Sequence, residues 1–253
     1  VKKTFVRTSN TARFLSAITE LDDRGAEEAC LVVVDGDPGL GKTETVQWWV
    51  TQTSAVYLRA KQEWTPSWVL RELLAALDEK MPAASFERMY GQALQRLSER
   101  VRLAAREELS FAVVIDEVDY VSKRETIINN FRDLSDMTEI PFVLVGMGKV
   151  RHHLARFPAV ASRVGKYVEF EKATIEDTRI LVDGLCEVPV ADDLVRLLHR
   201  ESQGRVREIK EGIAAIERRA RPNGGTCTVT IADMVGEVLL NDRATGKPLR
   251  VRE

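Results

Sequence analysis

The feature that most constrains this chain is an eight-residue run, Gly36-Asp37-Pro38-Gly39-Leu40-Gly41-Lys42-Thr43, which satisfies GxxxxGK[ST]. Before it stands Leu31-Val32-Val33-Val34, an apolar run without alternation, as a strand buried on both faces of a parallel sheet requires. After it, Thr43 to Thr51 reads as a helix. In that setting the glycines let backbone N–H groups turn inward around phosphate oxygens, and the helix N-terminus adds its dipole. Lys42 then reaches the β- and γ-phosphates of a nucleotide and Thr43 offers its hydroxyl to Mg²⁺, with Glu44 completing the binding segment.

Such a loop needs more parallel strands beside it, and the sequence supplies them. Short apolar runs recur at Ala55 to Leu58, Phe111 to Ile115, Phe142 to Val145 and Tyr167 to Phe170, with helical patterns between them. The first helix carries Phe14, Leu15, Ile18 and Leu21 after an N-cap at Asn10 or Thr11, and a charged break follows at Asp22 to Glu28. Thr65 caps a second helix that Pro66 opens and that runs through Asp78. Long amphipathic patterns cover Ser85 to Glu108 and Ile127 to Ser135. From Thr174 the pattern is helical only: Thr174 to Cys186, Ala191 to Glu201, Arg205 to Arg221, and a short helix near Ile231 to Leu239. The expected organisation is an α/β parallel-sheet core over residues 1–172, a small all-helical C-terminal lid over 173–240, and a loose basic tail over 241–253 that holds Arg243, Arg250 and Arg252.

Composition removes several function classes. Hydrophobic residues make up 44% of the 253, enough for a core, and no apolar run approaches the roughly 18 residues of a membrane helix. The start lacks the apolar stretch of a signal peptide. Cys30, Cys186 and Cys227 are odd in number and widely spaced, which excludes a disulfide framework and points to a reducing cytoplasm. With 37 basic against 39 acidic residues the formal charge is −2, so nucleic acid would have to be held by a local patch rather than by bulk charge.

The third strand ends in Asp116-Glu117, at the carboxyl edge of the sheet where open α/β folds bind ligands. Asp116 is expected to hold Mg²⁺ through water, and Glu117 to orient and deprotonate the attacking water. Arg207, in Gly204-Arg205-Val206-Arg207, can fold from the lid onto the γ-phosphate. Arg163, in Ser162-Arg163, is a candidate arginine finger toward a neighbouring subunit, with Arg151 and Arg156 as competitors. Trp48, Trp49 and Trp68 read as packing of helices on the sheet. His152-His153 and His199 lack ligand partners at metal spacing, and Arg218-Arg219-Arg221 complements a helix C-terminus.

The phosphate loop, the strand Phe111-Ala112-Val113-Val114-Ile115-Asp116-Glu117, Ser162-Arg163 and Gly204-x-x-Arg207 together resemble an AAA+ ATPase of the P-loop NTPase class, over most of residues 5–221. Within it, Tyr57-Leu58-Arg59-Ala60 followed by Trp64-Thr65-Pro66-Ser67-Trp68 is similar to the transposition ATPases of the phage Mu B protein and TnsC group. That resemblance implies a bacterial or phage-encoded protein that binds ATP and Mg²⁺ and assembles as a ring or filament on duplex DNA, without sequence preference. It also implies hydrolysis of the ATP and help to a transposase in capturing target DNA. Arg59, Lys61, Lys123 and Arg124, on loops near the nucleotide edge, are the expected DNA contacts. The fourth strand departs from the family pattern: it runs into Gly146-Met147-Gly148, where a polar sensor residue usually stands, so turnover is expected to be slow unless Lys149 substitutes. The helix-turn-helix domain that opens the Mu B protein has no counterpart in these residues. Two alternatives stay open: a nucleotide-gated scaffold with negligible turnover, and a secretion or signalling ATPase of the same architecture that ignores DNA.

Overall fold

Five short strands form one parallel sheet in the order β2-β3-β4-β1-β5: β1 (Leu31–Gly36), β2 (Val56–Arg59), β3 (Val113–Asp116), β4 (Phe142–Val145) and β5 (Val164–Phe170). The structure, a computed structural model, describes residues 1–22, 25–26, 28–220, 227–243 and 245–252. Arg221 and part of the charged break after α1 lie outside them. The central strands β3 and β4 are buried along their whole length, which explains their unalternating apolar sequences. The connection from β1 departs toward β2 at one edge, whereas the connection from β4, its neighbour, leads to β5 at the other. This reversal opens a crevice at the carboxyl ends of β1 and β4, beside β3.

The chain divides into two compact units. One comprises residues 13–37 and 42–170 and holds the sheet with most of α1 (Ser9–Asp22), α2 (Lys42–Gln52), α3 (Pro66–Ala76), α4 (Phe86–Arg106), α5 (Glu125–Thr138), α6 (Val150–Leu154) and α7 (Pro158–Ala161). Its core gathers Trp64, Leu70, Leu73, Met89, Leu97 and Phe131 against the strands. As the sequence predicts, Pro66 opens α3 and the Thr65 hydroxyl accepts from the Trp68 N–H at 3.2 Å. That placement corrects the tryptophan reading: Trp68, in the first turn, is 37% exposed beneath the Lys61 ammonium, while Trp64 is the fully buried indole. Trp49 packs inward as expected, edge-on against Phe14 at 5.4 Å.

The other unit comprises residues 1–12, 38–41 and 171–253. Helices α8 (Ile175–Leu185), α9 (Asp192–Ser202) and α10 (Val206–Ala220) enclose Leu181, Leu198, Ile209 and Ile213. A capping box opens α8, the Thr174 hydroxyl accepting from the Asp177 N–H at 3.1 Å and Asp177 accepting from the Thr174 N–H at 3.2 Å. The first residues of the chain belong here as well. Ser9 donates to Asp177 through its N–H at 2.8 Å and its hydroxyl at 2.5 Å, and the Lys2 N–H reaches the Leu185 carbonyl at 2.8 Å.

Two expectations for the C-terminal residues give way. The helix near Ile231 is one turn, α11 (Ile231–Met234), because Gly236 adopts φ +84° and turns the chain. The segment after Asn241 is not a loose tail: β6 (Val238–Asn241) pairs antiparallel with β7 (Pro248–Arg250). Asp242 fixes the turn by accepting from the Thr245 N–H and hydroxyl at 2.7 and 2.6 Å, and Leu240 and Val251 bury against α10 and its neighbours. Among the described residues no helix is long and apolar enough to cross a membrane.

Candidate functional site

The phosphate loop leaves β1 at Gly36 and ends where Lys42 opens α2. Gly39 and Gly41 stand at φ +86° and +90°, a backbone region that a side chain would strain. Lys42 is 8% exposed, and its ammonium donates to the carbonyls of Gly36 at 2.6 Å and Asp37 at 2.8 Å. Burial lowers its pKa, while the surrounding carboxylates of Asp35, Asp119, Asp116 and Asp37 oppose the shift. Thr43 is exposed in the first turn of α2, with Glu44 beside it where the helix dipole favours an anion.

Strand β2 lies beside β3 with Tyr57 opposite Val114 and Arg59 opposite Asp116. This register lets β2 hold both acidic residues. The Tyr57 hydroxyl donates to Asp116 Oδ2 at 2.7 Å, and the Glu117 N–H donates to Asp116 Oδ1 at 2.8 Å, in a site where Asp116 is only 3% exposed. Burial first, then its bond to Asp116, raise the Tyr57 pKa far above the usual phenol range, so the hydroxyl remains a donor. Glu117 adopts a left-handed backbone, φ +54° and ψ +36°, and its carboxylate accepts a two-pronged bond from Arg59, Nε to Oε2 at 2.8 Å and Nη2 to Oε1 at 2.6 Å.

Two residues escaped the sequence reading. Tyr57 lies in the quoted Tyr57-Leu58-Arg59-Ala60 run, but only the strand register assigns it to Asp116. Asp119, three residues past Asp116 in the single 3-10 turn Val118–Tyr120, accepts the Met147 N–H on both oxygens at 2.9 Å. Its place beside Met147 supplies a polar group near the non-polar sensor position, and burial raises its pKa. Gly146 makes the approach possible, since a Cβ there would stand 2.9 Å from Asp119 Oδ2 and 2.3 Å from Val150 Cγ2.

The residues present fit a nucleotide-bound Mg²⁺. Asp116 is a buried carboxylate and Thr43 a hydroxyl, both hard oxygen donors, and Mg²⁺ commonly completes its sphere from phosphate and water rather than from an all-protein cage. No group of three or more His, Cys, Asp or Glu among the described residues forms such a cage.

The remaining candidates are placed unevenly. Arg163 pairs with Asp136 at 3.0 Å, and Arg151 lies over the Tyr167 ring at 4.8 Å, whereas Arg156 is exposed and forms no ion pair among the described residues. Arg207 stands at the second position of α10 with its side chain exposed, and its N–H donates to the Gly39 carbonyl at 3.1 Å. Of the expected DNA contacts, Arg59 is engaged by Glu117, Lys61 by Glu72, and Arg124 by the carbonyls of Gln62 and of Trp64, the latter at 2.7 Å. Lys123 is exposed and unpaired among the described residues. The His153 imidazole, held by Ser122 at 2.8 Å, has its pKa lowered by burial and by the neighbouring Lys123, His152 and Arg156, with Asp119 opposing. Lys123, His152 and Arg156 are each exposed and near enough to His153 to act on its charge.

Comparison with known proteins gives the same architecture. The fold is similar to Cdc6p from Pyrobaculum aerophilum, with a TM-score of 0.63 and 19% identity over 92% of this chain and 68% of that one. It is similar to the Aeropyrum pernix Orc1 protein, solved in complex with DNA, at 0.60 and 16% over 88% and 62%. The Thermotoga maritima RuvB Holliday junction branch migration motor gives 0.54 and 19% over 89% and 66%. The chain thus spans about two-thirds of the length of each, and at these identities the likeness is one of fold. No curated protein matches the sequence. None of these findings bears on the narrower likeness to the Mu B and TnsC group. A family model described as an AAA domain matches residues 25–154, more than half of the 253 and inclusive of the phosphate loop, Asp116 and Glu117, and the chain belongs to that AAA family.

Proposed function

We propose that this chain is an ATPase that couples ATP binding and hydrolysis to its own assembly on duplex DNA. The observation that carries the reading is the convergence of Lys42, Asp116 and Glu117 at the carboxyl edge of β1 and β3, with Thr43 exposed next to Lys42 at the start of α2. Lys42 exchanges its two loop carbonyls for phosphate oxygens, neutralising their charge in the bound state. Asp116 and Thr43 would hold Mg²⁺, which would supply positive charge against the charge that develops on the phosphate. Glu117 takes the proton of the attacking water, and the Arg59 fork restrains where its carboxylate can point to do so. That tie, together with Met147 at the sensor position, favours slow turnover.

The DNA part of the reading is supported by the nature of the structural relatives and by the exposed Lys123, His152 and Arg156 around His153. We assign the phosphate contacts to Lys123, with His152 and Arg156 beside it, rather than to Arg59, Lys61 and Arg124, whose charges are engaged within the chain. Arg156 is also the arginine freest to act in trans on a neighbouring subunit, ahead of Arg163. Capture of target DNA for a transposase rests on the Tyr57–Ala60 and Trp64–Trp68 segments alone.

The deciding experiment compares wild type, Lys42→Ala and Glu117→Gln for ATP binding, turnover and ATP-dependent assembly with and without duplex DNA. Lys42→Ala is expected to lose ATP binding, whereas Glu117→Gln keeps ATP, keeps assembly and stops turnover. Equal loss of ATP affinity in both variants contradicts the site, and assembly indifferent to DNA contradicts the partner. In the same assay, Lys123→Ala with Arg156→Ala is expected to lower DNA affinity and flatten its salt dependence by roughly two units of log–log slope, with no new sequence preference.

A further inference from the structure

We infer that Tyr57 is a positioning residue for the metal-facing carboxylate: its hydroxyl, on the neighbouring strand, fixes the direction in which Asp116 presents its free lone pairs. The reading rests on the nucleotide site proposed above and adds to it a residue that sets metal affinity.

The Tyr57 hydroxyl donates to Asp116 Oδ2 at 2.7 Å. The second oxygen, Oδ1, accepts from the Glu117 N–H at 2.8 Å. A carboxylate oxygen offers about two acceptor directions, so each oxygen of Asp116 keeps one for a metal ion or its water. With both oxygens pinned from the protein side, the carboxylate cannot spin about its broad terminal torsion, and its remaining lone pairs keep a fixed direction. Take away the hydroxyl and only the backbone donor of Glu117 remains. Strand register makes the contact possible: Tyr57 and Arg59, two residues apart on β2, lie on one face of the sheet, so Tyr57 reaches Asp116 while Arg59 reaches Glu117.

Outer partners of this kind typically tune metal affinity by 10- to 100-fold. Tyr57→Phe keeps the ring and removes only the hydroxyl. In the full chain, with a fluorescent ATP analogue as probe, the Mg²⁺ concentration for half-maximal binding is expected to rise about tenfold or more, while affinity for the analogue in EDTA stays as in wild type. Mn²⁺ binding followed by electron paramagnetic resonance should weaken in parallel. In an Asp116→Asn background Tyr57→Phe should add almost nothing, since it acts through that carboxylate. An unchanged Mg²⁺ requirement overturns the inference, as does an equal loss of affinity in EDTA or full additivity with Asp116→Asn. Should Tyr57→Phe fail to fold, the wild-type sequence labelled with 3-fluorotyrosine tests the same contact: the Tyr57 fluorine resonance should shift when the analogue binds with Mg²⁺ and not when it binds in EDTA, and an equal shift in both refutes the inference. If wild type shows no Mg²⁺-dependent ATP binding, the nucleotide site itself fails, a result distinct from all of these.

Discussion

Glu117 sits in a backbone conformation that costs an L-residue about 1–2 kcal/mol relative to the right-handed region, at φ +54° and ψ +36°. Glycine at this position removes that strain but adds about 0.5–1 kcal/mol of freedom to the unfolded chain, whereas alanine keeps the strain. Both substitutions delete the carboxylate and release Arg59 equally, so the ion pair cancels from the comparison. Glu117→Gly should therefore be more stable than Glu117→Ala by about 0.5–1 kcal/mol, a reversal of the order found in a helix or strand. For a chain of this size that corresponds to a midpoint about 1–4 °C higher, measurable by urea and thermal unfolding. Neither variant should turn over ATP. If alanine proves as stable as glycine, the left-handed placement of Glu117 is wrong and the role proposed for it must change.

Other perturbations separate the parts of the site. Arg59→Met should leave ATP binding intact and raise basal turnover several-fold in a single-turnover assay, because Glu117 loses the fork that holds it; unchanged or reduced turnover counts against a restraining role. Gly146→Ala should cost about 1–3 kcal/mol by urea unfolding, from a Cβ 2.3 Å from Val150 Cγ2, and Val150→Ala should recover part of that loss in the double variant. Asp177→Ala should destabilise by about 1–2 kcal/mol, since it removes one half of the α8 capping box and both acceptors of Ser9; a loss below about 0.3 kcal/mol would show that those bonds are not formed in solution.

The phosphate loop and the Asp116-Glu117 pair are legible in the sequence because their chemistry is written in contiguous residues. The strands are legible for a related reason: burial on both faces leaves β3 and β4 no polar positions to blur the run. Charge pairing is another matter. Nothing local to Arg59 or Arg124 announces that Glu117, 58 residues away, or the Trp64 carbonyl, 60 residues away, will engage it, and so both read as free cations. The residues after Asn241 fail to announce their strand because a three-residue β7 carries almost no pattern, and the burial that holds it comes from α10. Trp64 and Trp68 are both indoles at the start of one helical segment, and only the register of α3 on the core decides which goes inside.

The discontinuity of the C-terminal unit has a consequence for how the protein is made. Residues 13–170 include every strand of the parallel sheet, so that unit can close as soon as its last strand leaves the ribosome. Ser9 must wait for Asp177, 168 residues later, and at roughly 5–20 residues per second this is on the order of ten seconds or more. During that interval Val6, which ends on the core of the late unit, has no partner to cover it. The segment that carries Val6 and Ser9 is thus synthesised well before the residues that hold it, and it finds its place only after the parallel sheet can already have closed.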